Sequence, residues 1–329
     1  MFEQQPHSGS RPEVVVSGEV VADLVADEAD AGLFRFHPGG QGVNVAIALA
    51  RQGLSTTLLM PLSRDPLGQS FAHALRAAGV GTPLAGTSPW PTSLALVNLE
   101  QGEPHYTLYR EGVADRHLDT RTLLPRLPAR PAIHVVGAFC YAVQPDRDFW
   151  LAVAAESRRR GALISSDPNI RPQLMERQDA NREDICRALG EADIVKASHE
   201  DLAWLFPGDT TARAMGRLLS ADRTVLAVGT LGGRGALLAT RHAMAAVPAH
   251  PPRGVVDTIG AGDAFHAALL ACLLRAGVRR TGQLDALSNG DLRVLGREAA
   301  VAAALNCEHA GCHPPSRAEV AQTLALSQG

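Results

Sequence analysis

Lysine is almost absent from this chain. Of its 31 basic residues only Lys196 is a lysine, and arginine supplies the others. Codon bias towards arginine is the simplest cause. A lysine kept against that bias fits a position that needs a compact point charge rather than a planar fork, and chance retention is the competing account. The basic residues do not cluster: the longest run is Arg158-Arg159-Arg160, and 34 acidic residues leave a formal charge of -3. That balance carries no electrostatic footprint for a nucleic-acid partner. No apolar run reaches the ~18 residues that mark a membrane span. Residues 1–11 are polar, lack the apolar core of a signal peptide and read as a flexible leader. Cysteine is sparse, odd in number and scattered, at Cys140, Cys186, Cys272, Cys307 and Cys312. No disulfide framework is expected from it, and a reducing cytoplasm is the plain reading.

Internal repeats, low-complexity linkers and shifts of composition are also missing. The 329 residues, 46% hydrophobic, are therefore expected to form a single domain around one large core.

What the chain does have is alternation of short apolar runs with helical patterns, the βα order of a parallel sheet. Residues 13–18 read as a buried strand, with Asp23 just past its C-terminal end, where open α/β sheets place ligands. Residues 24–37 look irregular. The stretch from Gly39 and Gly40 to Asn44 leads into a helix that stops at Gly53. Its glycines permit close backbone approach, and Asn44 offers a donor and an acceptor to hydroxyls. An ordinary glycine-rich cap is the alternative. A strand at 56–60 and a helix at 69–78 follow.

Between 91 and 116 the pattern breaks into two strand-like runs joined at Gln101-Gly102-Glu103-Pro104, a hairpin set into a βα series. It is expected to project as a lid or a dimer surface, with Arg110 near a ligand or merely solvated at a strand end. Alternation then resumes, with strands at 132–139, 162–166, 193–197 and 224–228. Asp167-Pro168-Asn169-Ile170-Arg171 gathers polar side chains at one strand's C-terminal edge. Ser198-His199-Glu200-Asp201 opens a helix, where the acidic pair suits capping. A glycine-rich turn from Thr230 to Gly235 follows the last of these strands, then hairpin-like segments to 247. Helices at 292–309 and 317–326 close the chain. Between them Cys307, His309, Cys312 and His313 have ligand types that suit zinc. Their spacing matches no familiar tetrahedral pattern, so a helix end and turn is the plainer account.

The most informative stretch is Asp257-Thr258-Ile259-Gly260-Ala261-Gly262-Asp263. Val255-Val256 before it reads as strand-like, and an apolar helical run over 264–276 opens straight out of it. A turn at a helix N-terminus presents unpartnered N–H groups and a dipole that favours an anion. Asp263 lies in the first helical turn beside that hole. An anion cradle next to a candidate base is what phosphoryl transfer to a hydroxyl needs. Other nucleotide signatures are missing: there is no G-x-x-x-x-G-K-[ST], no complete G-x-G-x-x-G fingerprint, no protein-kinase set and no G-x-S-x-G elbow.

The combination of Gly39-Gly40-x-x-x-Asn44, Asp167-Pro168-Asn169-x-Arg171 and the 257–263 turn resembles the ribokinase-like (PfkB) carbohydrate kinases, over nearly the whole chain after residue 12. The resemblance implies an α/β fold, a ribokinase-like three-layer sandwich with a mostly parallel central sheet. A small β lid would be inserted at about 24–37 and 91–116. It also implies transfer of phosphate from ATP to a sugar hydroxyl. Asp263 would be the base, and Gly260, Ala261 and Gly262 with it would form the anion hole. Asp23, Gly39, Gly40 and Asn44 would bind the sugar, with Arg110 and Arg171 beside it. Asn169, Lys196, Thr230, Gly232 and Gly235 would serve the nucleotide, with Asn306 near the adenine. Glu200 and Asp201 fall where the family associates Mg2+, through water, although Ser198 stands where many members carry Asn. Asp257 would mark a turn for a monovalent cation such as K+.

The lid hairpin and the Asp-Pro-Asn-x-Arg edge look most like the fructokinase and 2-keto-3-deoxygluconate kinase branch, with fructose the first expectation. The keto-acid sugar comes next, ribose or a nucleoside behind, and a sugar sensor without catalysis is the reading of a different class. Lid pairing suggests a homodimer.

Overall fold

Short hydrophobic strands alternating with helices reach low energy as a sheet covered on both faces. The computed structural model describes residues 13–27, 30, 32–81, 84–100, 103–137, 139–142, 144–171 and 178–327. The leader expected at 1–11 lies outside the described residues. The strands are β1 (Val14–Ser17), β2 (Val21–Ala26), β3 (Phe34–Gly39), β4 (Thr56–Leu58), β5 (Leu62–Ser63), β6 (Thr87–Ser88), β7 (Ser93–Glu100), β8 (Glu103–Tyr109), β9 (Ile133–Val136), β10 (Leu163–Ser166), β11 (Ile194–Ser198), β12 (Leu226–Thr230), β13 (Ala236–Ala239) and β14 (Met244–Val247). The helices are α1 (Gln41–Arg51), α2 (Pro66–Ala77), α3 (Thr120–Leu123), α4 (Phe139–Ala142), α5 (Asp146–Arg159), α6 (Gln178–Leu189), α7 (His199–Leu205), α8 (Thr211–Leu219), α9 (Ala261–Arg275), α10 (Thr281–Asp285), α11 (Asn289–Asn306) and α12 (Arg317–Leu326).

Eight strands form the main sheet in the order β14-β13-β12-β11-β10-β9-β1-β4. From β4 to β12 all neighbours are parallel, and the β12-β13-β14 edge is antiparallel. One group of helices is α1, α9 and α11, packed on one another, while α5, α7 and α8 lie against β9 to β12. This is the mixed α/β, mostly parallel sandwich expected. In α9 Ala267, Ala268, Leu269, Leu270 and Leu273 are all fully buried. A helix apolar all round sits inside the molecule, so the first turn of α9 is carried on a support packed on every side.

A second sheet, β3-β2-β7-β8, is the projecting layer. The hairpin is β7 and β8, and β2 joins it in parallel. Residues 24–37, irregular in their sequence pattern though assigned to the small β lid, contribute most of β3 and half of β2. The pattern was weak because β3 is largely exposed and has no buried face to impose alternation. A second difference lies at Val255-Val256, which form no strand. The Val256 N–H donates to the Cys307 carbonyl at 2.9 Å, and both valine side chains are exposed, at 65% and 64%. This apolar pair is part of a loop pinned to the end of α11. Helix α2 starts at Pro66, earlier than residue 69, because Asp65 caps it through the Gly68 N–H at 2.7 Å.

Candidate active site

The site lies along the C-terminal edge of the parallel strands, where β1 leads to Glu19, β10 to Asp167 and β11 carries Lys196. One end of it begins at Gly260, which precedes α9 with a left-handed φ of 76° and no side-chain cap. A Cβ here would overlap the Cys312 thiol, and at Gly262 it would lie 3.0 Å from the Lys196 ammonium. Only glycine fits a positive φ and so close a neighbour without strain. The Ala261 N–H turns back to the Thr258 carbonyl at 3.2 Å. The N–H groups of Gly262 and Asp263 lie in the first helical turn, where N–H groups lack i−4 partners and can receive an anion.

The turn is fixed from behind. Asp257 accepts the N–H of Ile259 at 3.0 Å and of Gly311 at 2.8 Å. Asn306 donates to the Ile259 carbonyl at 2.7 Å and accepts the His313 N–H at 2.9 Å. Asn306 is fully buried. Expected near an adenine, it ties the 257–260 turn to the 307–313 loop. Sequence spacing could not reveal this, because both partners come from loops whose packing is set by the fold.

Asp263 receives a hydrogen bond from the Asn44 amide at 2.9 Å, so the early glycine-asparagine turn meets the late aspartate across 219 positions. Burial pushes the Asp263 carboxyl up to about 7, with Asp167 and Glu19 adding to the rise and Asn44 and Lys196 opposing it. Lys196 is itself buried and donates to Asp167 at 2.6 Å. Burial works against its ammonium, yet Asp167, with Asp201 and Asp263 further off, holds its pKa above the usual lysine value. The lone lysine thus stands as a point charge directly under Gly262.

At the other end, Asp23 on β2 faces Gly39, where any Cβ would overlap the carboxylate. Gly40 has φ 90°, and a Cβ there would overlap the Glu19 carbonyl. Burial and then the neighbouring Glu19 raise Asp23 to about 6, while Arg171 opposes the shift. Glu19 escaped the sequence reading. It is 4% exposed, and one carboxylate oxygen accepts the Gln41 N–H at the start of α1 at 2.9 Å. Burial raises its pKa, against the Gln41 N–H and the charges of Arg110 and Arg171. An acidic residue directly after a buried strand was the available signal. Arg110 pairs with Asp115 at 2.8 Å. Arg171 is half-buried, and its guanidinium donates to the Asn169 and Ile170 carbonyls at 3.2 and 3.1 Å.

The remaining expected residues are more spread out. Thr230 ends β12, Gly232 (φ 57°) opens a single 3-10 turn, and at Gly235 (φ 100°) a Cβ would overlap the Val247 carbonyl. Asn169 has φ 38°, and its N–H is held by Asp167 at 3.1 Å. Asp201, expected with Glu200 near a magnesium ion, is buried at the start of α7. Its two oxygens take the N–H groups of Ile170 at 2.7 Å and Ser198 at 2.8 Å, completing a capping box at α7. Glu200 points outward and pairs with His199 at 2.9 Å. Among the described residues no three His, Cys, Asp or Glu side chains gather to hold a metal, the Cys307, His309, Cys312 and His313 group included. His309 and His313 instead pack ring on ring at 4.4 Å.

A family profile, that of the pfkB family carbohydrate kinases, matches residues 11–319. A fructokinase of Rhizobium leguminosarum bv. trifolii is 32% identical over 283 residues, 85% of this chain and 85% of its own. A fructokinase structure from Vibrio cholerae O395, solved with fructose, ADP and a calcium ion bound, has a TM-score of 0.78 at 26% identity, covering 95% of this chain and 99% of that one. The ATP-bound fructokinase of Xylella fastidiosa superposes with a TM-score of 0.84 over 96% of this chain and 99% of that one, and at 24% identity it speaks for the fold.

Proposed function

The chain belongs to the pfkB family and is a carbohydrate kinase, and from that premise we propose that it transfers the γ-phosphate of ATP to a hydroxyl of fructose. The observation that carries this reading is the Asn44–Asp263 hydrogen bond. In this reading it joins the loop that would hold the acceptor to the turn that would hold the phosphate, through one carboxylate. A fructose hydroxyl bound between Asp23 and Asn44 would lose its proton to Asp263 as it attacks. A carboxyl titrating near 7 is well matched to that task at neutral pH. The Gly262 and Asp263 N–H groups would hold the charge growing on the transferred group, and Lys196 beneath Gly262 would add a fixed positive field.

The exposed side chains of Val255, Val256 and Ile259 flank the cradle and would give a planar base an apolar surface. Thr230, Gly232, Gly235 and Asn169 would frame the rest of the nucleotide. A divalent ion neutralises charge on the phosphates in such reactions. The donor set fits magnesium that arrives with ATP and keeps most of its water rather than a protein cage; Glu200 is the exposed carboxylate that would reach it through water. Asp257 spends one N–H bond on each oxygen and keeps lone pairs that would hold a potassium ion.

In the lid, Leu33, Phe34 and Tyr109 are exposed at 45%, 38% and 56%, on or beside its edge strands β3 and β8. Two lids pairing would cover them in a cytoplasmic homodimer, which light scattering would register as twice the chain mass. The test of function is ADP release with ATP and magnesium over fructose, 2-keto-3-deoxygluconate, ribose, tagatose and adenosine. Fructose should give the highest kcat/KM. No turnover with any of them, while sugars still bind, would leave a sugar sensor instead.

A further inference from the structure

Arginine beside an acceptor site invites a carboxylate-bearing substrate, since a guanidinium binds a carboxylate through two parallel bonds. The two arginines here are already matched. Arg110 donates to Asp115 Oδ2 at 2.8 Å, and the pair is buried, with the arginine side chain 13% and the aspartate 2% exposed. Asp115 is anchored independently of Arg110: the Ser93 hydroxyl donates to its other oxygen at 2.5 Å, and the Val20 N–H reaches Oδ2 at 3.4 Å. Val20 lies between Glu19 and β2, so the anchor joins the acceptor strand itself. Arg171 offsets the charges of Asp23 and Glu19. The acceptor end therefore holds three carboxylates, Glu19, Asp23 and Asp115, against two guanidinium groups.

We infer that Asp115 is a positioning residue that sets acceptor specificity: by holding Arg110 in a buried ion pair, it commits the site to uncharged sugars and turns away six-carbon keto sugars that carry a carboxylate. A carboxylate entering here meets Asp23 and Glu19, and to gain Arg110 it would have to break the Arg110–Asp115 pair while Ser93 and Val20 keep Asp115 in place. A desolvated like-charge contact is strongly unfavourable, and removing one partner of a buried pair frees the other for a new ligand.

The inference rests on the kinase reading and is tested separately from it. The kcat/KM for fructose and for 2-keto-3-deoxygluconate is measured in the wild type, Asp115→Asn, Arg110→Met and the double variant, each checked for folding by circular dichroism. Turnover of fructose by the wild type judges the kinase reading; if ribose or tagatose is the better neutral acceptor, the ratio is taken against that sugar. For Asp115→Asn the preference should move towards the keto acid by at least about tenfold, the worth of one charge-assisted bond. Arg110→Met in the same chain should erase that gain. An unchanged ratio in folded Asp115→Asn, or a gain that survives loss of Arg110, overturns the inference. A measurement on the wild type alone covers the case in which the variants do not fold. Inhibition of fructose phosphorylation by 2-keto-3-deoxygluconate should need at least about ten times the KM of fructose. Equal or tighter binding of the acid contradicts the proposal.

Discussion

At the proposed phosphate end, Gly260 and Gly262 clear the space beside the backbone amides of the first turn of α9, and one buried ion pair, Lys196 with Asp167, stands behind. At the proposed acceptor end, charged side chains crowd together: Asp23, Glu19 and Asp115 against Arg171 and Arg110. The difference is one of job. A transferring phosphoryl group needs dipoles that are in place before charge develops, and backbone N–H groups on a packed helix do not reorganise. A sugar must be told from other sugars, and this takes side chains whose hydrogen bonds and charges can accept one ligand and penalise another. Asp263 stands where the two ends meet, through Asn44.

Substitutions that strike only one end should separate the two jobs. The largest effect belongs to the meeting point. Asp263→Asn should lower kcat by about 10²- to 10⁴-fold while the affinity for ATP, read by calorimetry, stays within about twofold. Activity within tenfold of wild type would show that the base lies elsewhere. Behind the phosphate end, Lys196→Met strands Asp167 as a buried unpaired charge, so urea unfolding should lose about 3–5 kcal/mol, and Asp167→Asn in the same chain should restore much of it. Little loss would mean the pair is not sealed from water. At the acceptor end, Gly39→Ala pushes a methyl group into the Asp23 carboxylate. The KM for fructose should rise about tenfold or more, since a misplaced hydrogen bond to a charged group is worth about 1.5–3 kcal/mol, with the KM for ATP unchanged. If both KM values rise together, the two ends are not separable.

How much of this could be seen in the sequence depends on the range of the interactions. The anion turn was legible because its logic is local: glycines, a helix start and an acid within seven residues. Lys196 was marked by its rarity, and the βα order gave the main sheet and its ligand edge. The hairpin was visible and 24–37 was assigned to the same small sheet, but the bounds of β2 and β3 were not legible, since a largely exposed strand such as β3 needs no periodic pattern. Glu19 and Asp115 were passed over because their partners are distant: Asp115 meets Val20 across 95 positions and Glu19 meets Gln41 across 22. The backbone partners of Asn306 and Asp201 were not legible either. Their residue types suit binding, and only the folded chain reveals the backbone groups that they also hold.

The central claim, that Asp263 is the base shared by both ends, is tested most directly by the pH dependence of kcat with saturating ATP and fructose. Burial holds its carboxyl near 7, and only the ionised form can accept the hydroxyl proton. Stepping down in pH protonates it, so kcat should be level above about pH 8 and fall towards tenfold per unit below about 7. The Asp23 titration near 6 should enter kcat/KM instead, as weaker acceptor binding by the free enzyme. A kcat that stays flat from pH 8 to pH 5 would contradict the account, because a carboxylate with an ordinary pKa, or some other group, would then be doing the chemistry.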